Sequence, residues 1–141
     1  MFHVGVAQLL GSAVDGLAYS EAGDDGNVFV DHQPSQPDRC VTVFTQSSSE
    51  ADTKLPYDPV EALVIVRSDA DTQWALFKWQ AIYDALHGYR NQSLPDGTYV
   101  AWIIVTSASP NRLGADANGR PGYGMTLRAE ILNQAPGRET T

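Results

Sequence analysis

The side chains best placed by type and spacing to do chemistry are Asp69 and Asp71 in SDAD, Asp116, Asn118 and Arg120 in DANGR, and the histidines His3, His32 and His87. A D-x-D at the end of an apolar strand can hold a divalent ion in nucleotide-sugar enzymes. Here a helical pattern starts at once, and an acid at that point caps free N–H groups and answers the helix dipole. A D-x-D without a nucleotide site is a weak signal, so capping is the expectation. DANGR opens like a calcium loop, in which oxygens recur at alternate positions. The next ligand position is Arg120, the glycine position is Pro121 and the twelfth is Leu127 in place of a bidentate acid, so a plain turn is expected. Gly114, Gly119, Gly122 and Gly124 spell no phosphate fingerprint: there is no GKS or GKT, and a strand pattern follows instead of a helix. The histidines have no zinc-ligand spacing. A Ser-His-Asp constellation meets only in space, but no G-x-S-x-G elbow is present. His87 is expected in a last helical turn, where its partial charge suits the dipole. No catalytic, cofactor or metal residue is therefore assigned.

The bulk properties narrow the class. At 141 residues the chain suits a single domain spanning 1–141, able to bury a core without a metal or disulfide. Its one cysteine, Cys40, cannot form an internal disulfide and reads as a small strand residue beside Val41. Met1 to Leu10 does not read as a signal peptide, since no basic region precedes its apolar residues. No apolar run approaches the roughly 20 residues of a membrane span. Residues 1–71 carry twelve acids and three bases, and residues 72–141 five acids and six bases, for a net charge of −8. An acidic chain without a basic cluster is a poor candidate for gripping nucleic acid, because that grip comes from Lys and Arg on phosphates. A solvated acidic surface is the simpler reading.

The elements that must position these residues follow from periodicity. Val6, Leu9, Leu10 and Ala13 suit a short amphipathic helix over residues 4–14. NVFV (27–30) and CVTVFT (40–45) read as strands, separated by a proline-bearing turn or edge. The polar stretch 46–59 is expected to be a mobile loop. EALVIVR (61–67) has five continuous apolar residues, the pattern of a central strand covered on both faces. In the next helix Ala75, Trp79, Ile82 and Leu86 make an apolar stripe, with Asp71 to cap its start and Gly88 to take a left-handed position at its end. Strands follow at 99–107 and 123–131. In the latter Tyr123, Met125, Leu127, Ala129 and Ile131 share one face, and Thr126, Arg128 and Glu130 the other. The tail from about 133 should fray. The sum is an α+β fold: a largely antiparallel or mixed sheet of about five strands with an N-terminal and a central helix packed on it.

Two features exceed what such a fold needs. About fourteen residues separate the last two strands, where a hairpin needs two to five. Trp74 and Phe77 lie roughly 100–160° off the apolar stripe, and exposed large aromatics mark interfaces. Both point to partners. Trp74 and Phe77 are assigned to self-association. Residues 108–121 are assigned to a docking loop, with Arg112 and Arg120 as donors, Asp116 as acceptor and Leu113 as apolar anchor, mobile until a partner orders it.

The succession EALVIVRSDAD, WALFKWQAIYDALHG, YVAWIIVTSASPNRLGADANGR and YGMTLRAEI resembles the tail terminator, or tail-completion, proteins of long-tailed bacteriophages, some of which are labelled minor capsid proteins. The likeness covers residues 59–132. That family often has a P-x-x-L-G-x-D-x-x-G-R-type loop before an alternating final strand, and Pro110, Leu113, Gly114, Asp116, Gly119 and Arg120 stand at matching places. The resemblance implies a non-enzymatic virion protein without cofactors. It implies a homohexameric ring that caps the head-proximal end of the tail tube, stops its polymerisation and meets the head-completion or connector (stopper) protein at the neck. Genomic DNA then passes through without specific binding, no membrane is involved, and synthesis is in the host bacterial cytoplasm. Two rival readings stand beside it: a monomeric α+β module that binds a small molecule or peptide, and a small hydrolase or transferase using Asp69 and Asp71. Fold alone does not choose among them.

Overall fold

The computed structural model describes residues 1–21, 26–47 and 56–132. Its elements are α1 (Phe2–Ala13), β1 (Val28–Val30), β2 (Cys40–Gln46), β3 (Tyr57–Arg67), α2 (Thr72–Leu86), β4 (Arg90–Ser93), β5 (Tyr99–Val105), β6 (Asn111–Leu113) and β7 (Gly122–Leu132). They form one sheet in the order β1-β2-β3-β7-β5-β4, with β6 also paired to β7. Only β1 and β2 run parallel; the other pairs are antiparallel. The α+β class expected from periodicity is the one observed, with seven strands in place of about five.

The register sorts side chains onto two faces. Val41 lies opposite Val66, which lies opposite Tyr123; Val43, Val64 and Met125 form the next row. These residues are buried with Val6 and Leu10 of α1 and with Ala75, Trp79, Ile82 and Leu86 of α2 in one core. The stripe read in the sequence is thus the buried face of α2. Trp79 is fully buried, and its indole N–H donates to the Gly124 carbonyl at 2.9 Å, so the largest core side chain also ties α2 to β7. Asp71 caps α2 by accepting from the Gln73 N–H, and Gly88 takes φ +83° beyond its end, where a side chain would be strained.

Among the described residues no helix lies on the second sheet face. Phe44 and Leu63 pair across β2 and β3, Leu63 faces Thr126, and Glu61 faces Arg128, which lies beside Ile104. Phe44, Leu63 and Ile65 are half-buried, while Ile104 is exposed. The apolar run in β3 marks a central strand as expected, but among the described residues only one of its faces is covered by helices. A continuous apolar run arises equally from a strand that serves one core face and one open apolar face.

Two short strands escape periodicity. β4 has the sequence RNQS and is exposed throughout, so it shows no apolar alternation. The long connection between β5 and β7 is shorter in space than in sequence. Thr106 N–H still bonds the Thr126 carbonyl, and Asn111 rejoins the ladder opposite Gly124. Residues 107–110 bulge out, β6 continues the direction of β5, and only residues 114–121 form the tip of the hairpin. The stretches 48–55 and 133–141, read in the sequence as part of a mobile loop and as a frayed tail, lie outside the described residues.

Candidate assembly surfaces

Residues 31–39, the start of α2 and the hairpin tip meet at one end of the sheet. Within the tip, one carboxylate oxygen of Asp116 accepts the N–H groups of Asn118 and Arg120 at 3.0 and 2.9 Å, and the other accepts Arg120 Nε at 2.9 Å. The Asp116 N–H donates to the Arg120 carbonyl and the Gly119 N–H to the Asp116 carbonyl, with Gly119 at φ +75°. The N–H bond from Arg120, then that from Asn118 and the guanidinium, hold the Asp116 carboxyl below its ordinary range. The acid that opens an apparent calcium loop is therefore turned onto its own backbone. Among the described residues no group of three His, Cys, Asp or Glu is placed to hold a metal.

Arg120 reaches out of the tip to Asp38 Oδ1 at 3.0 Å and to the Ser35 carbonyl, and its side chain is only 10% exposed. Arg67, itself buried, donates to the carbonyls of Pro37 and Asp38 from the helix-free face. Residues 35–38 are thus clamped between an arginine of β3 and an arginine of the tip. Opposite Arg67 in register sits Cys40, fully buried, whose thiol is pushed up by burial although both arginines pull it down.

These contacts revise the loop expected from sequence. Residues 108–121 are held by their own domain, through β6 on one side and the Asp116–Arg120–Asp38 network on the other. Arg120 and Asp116 spend their donors and acceptors inside the chain. Leu113 is half-buried and lies over the bare backbone of β7: a Cβ added at Gly122 or Gly124 would meet its methyls at 3.9 and 3.7 Å. Arg112 is exposed and makes no ion pair with any described residue.

Asp69 and Asp71 also turn inward. Asp69 accepts the Asp71 N–H and Arg39 Nε, both at 2.9 Å, and Arg39 Nη2 reaches Asp71 at 3.3 Å. The backbone bond from Asp71, then the guanidinium, lower the Asp69 carboxyl. Trp74 is half-buried: it packs against the core, and Arg39, which the sequence pattern did not assign to it, lies over its ring at 5.4 Å from the centre. Phe77 is different: it is 72% exposed, with Leu76 beside it at 39%. His87 departs from its expected role. It is the C-cap of α2, stacks on Tyr83, and its Nδ1 accepts the Val105 N–H at 3.0 Å, which docks the helix end on β5. His3 lies at 3.0 Å from the Glu61 carbonyl, and His32 is exposed.

The helix-free face carries two depressions. One, of about 310 Å³, includes Leu63, Pro110, Gly124 and Thr126 in its wall. The other, of about 200 Å³, includes Glu61, Trp102, Arg128 and Glu130.

The surfaces left unspent are thus the exposed face of α2, the open sheet face and the outside of the hairpin. A solved structure of the "Virion of native gene transfer agent (GTA) particle" contains a chain with the same fold, at a TM-score of 0.60 and 15% identity over 91% of this chain and 84% of that one. No curated protein matches. The family described as bacteriophage tail terminator protein matches residues 9–133, a span that takes in the hairpin tip, both clamping arginines and α2. The chain belongs to the bacteriophage tail terminator family, and its role is that of a structural protein of the virion tail.

Proposed function

We propose that this chain ends the tail tube: six copies assemble into a homohexameric ring on the head-proximal end of the tube. The ring stops polymerisation, joins the tail to the connector (stopper) protein at the neck and lets genomic DNA pass. The family match over residues 9–133 carries this reading. The unspent surfaces support it: an exposed aromatic on α2 suits subunit contact, and the hairpin offers Arg112 from a frame braced by Leu113, Asp116 and Arg120 to the tube or the neck. Self-association is assigned to Phe77, with Trp74 contributing its open edge. The excess of acids supports a conduit that DNA crosses without sticking. Synthesis is in the host cytoplasm and residence in the virion neck.

The test removes the chain from an assembling particle and measures tail length by electron microscopy. Overlength tubes lacking heads are expected. Tails of normal length joined to heads would refute the reading, and a strictly monomeric protein that captures a small ligand would favour the binding-module alternative. Isolated rings are expected to retain duplex DNA weakly even at low salt; tight, salt-sensitive binding counts against the conduit.

A further inference from the structure

This inference rests on the self-assembly proposed above and names its contact. The chain is a two-layer structure with apolar groups left on the outside of both layers. On the helix side, Phe77 is 72% and Leu76 39% exposed. On the sheet side, Ile104 is exposed, Phe44, Leu63 and Ile65 are half-buried, and no helix among the described residues covers them. An antiparallel sheet can leave one face to solvent, but apolar groups gathered on that face mark an interaction surface. Two different patches on opposite sides of one chain suit a head-to-tail contact. Such a contact leaves both patches unsatisfied in a dimer and continues until it closes.

Charge and spacing choose the register. Asp84 is exposed on the same side of α2 as Phe77, seven residues on, and its described partner is the side-chain amide of Gln80. Seven residues of helix span about 10.5 Å. On the open face, Arg128 is exposed and makes no ion pair with any described residue; Glu61 and Glu130 flank it, neither within salt-bridge distance. The 310 Å³ depression has Gly124 and Thr126 in its wall, two to four residues from Arg128 on the same strand, about 7–13 Å.

We propose that α2 of one copy lies on the open sheet face of the next, with Phe77 in the depression beside Leu63 and Thr126 and Asp84 against Arg128. The occupant of the open face is therefore a second copy of this chain.

The full-length chain is studied by sedimentation over a range of concentrations, with melting curves to confirm that each variant folds. Phe77→Ser, at an exposed site, is expected to raise the concentration needed for assembly with little change in melting. Asp84→Arg and Arg128→Asp should each weaken assembly at least about tenfold, and the double variant should recover most of that loss, because charge pairs across interfaces are coupled. If the chain assembles but neither swap matters, or the double variant fails to recover, this contact is wrong while the ring stands. A two-copy assembly that grows no further overturns it in favour of a symmetric contact. A wild-type chain that stays monomeric at every concentration overturns both.

Discussion

Trp79 should be the most costly single position for the core, and Trp79→Phe isolates why. The indole is fully buried, and its N–H is bonded to the Gly124 carbonyl at 2.9 Å. The indole stacks on Tyr83 at 5.6 Å between centroids; phenylalanine keeps a ring there but removes the donor. A buried acceptor left without its partner costs about 1–3 kcal/mol. The smaller ring also leaves a void, and a large-to-small change of that size adds about 1 kcal/mol. The expected total is about 3 kcal/mol. At this chain length that lowers the melting temperature by roughly 10 °C. Urea denaturation followed by far-UV circular dichroism gives the loss directly, with an unchanged slope if the unfolded state is unaffected. Trp102→Phe is the control, since Trp102 is half-buried on the open face and its indole N–H bonds no described residue; it should cost under about 1 kcal/mol, as surface changes usually do. A loss below about 1 kcal/mol for Trp79→Phe, or equal losses for both variants, would refute the claim that this bond secures α2 to β7.

Three further outcomes follow from the geometry. In the free subunit the amides of Asp116, Gly119 and Arg120 should exchange slowly with solvent deuterium, because each is bonded within the tip; exchange as fast as in an unstructured peptide would show that the tip is not held by its own domain. Gly5→Ala should destabilise by about 1–3 kcal/mol, the range for overpacking, since the added Cβ would meet Asp96 Oδ1 at 2.4 Å and Leu94 Cβ at 2.8 Å; a melting curve unchanged from wild type would rule this out. Asp96 has a lowered pKa: burial raises it, but bonds from the Met1 ammonium and from the N–H and hydroxyl of Thr98 outweigh burial. A depressed folded pKa stabilises above the unfolded value of about 4, and that stability is lost as pH falls through the folded value. Asp116, also lowered, acts in the same direction, so stability should decline below about pH 4, and less steeply in Asp96→Asn; a parallel acid decline in the two proteins would discount Asp96.

What could be read from the sequence was what one period repeats. The stripe at Ala75, Trp79, Ile82 and Leu86 defines α2, and the alternation from Tyr123 to Ile131 defines β7 with its correct inward face. β4 and β6 were invisible because RNQS and NRL bury too little to leave a pattern. The surfaces were harder still. The exposure of Phe77 follows from helical angle alone, but Trp74 lies under Arg39, and Arg120 is paired with Asp38 across 82 positions of chain. Ion pairs between distant segments leave no periodic trace. The acids that suggested metal or docking chemistry were the ones most fully used by local N–H groups, which the capping and turn chemistry of Asp does allow one to expect.

The internal bracing of the hairpin changes how it can act on a partner. A loop ordered only on docking loses backbone freedom at about 1–2 kcal/mol per residue, and that cost is taken from the affinity of each contact it makes. Here the tip is closed by its own backbone bonds, fixed to residues 35–38 through Arg120, and those residues are fixed to β3 through Arg67. The ordering cost is met during folding, so in the proposed assembly a few outward groups such as Arg112 would suffice to recognise a rigid neighbour. The same bracing joins hairpin, residues 35–38 and central strand into one body, and α2 is joined to that body by Trp79 at Gly124. If copies meet through the outer face of α2 as proposed, each such contact would bear on the element that Trp79 ties to the strand presenting the hairpin.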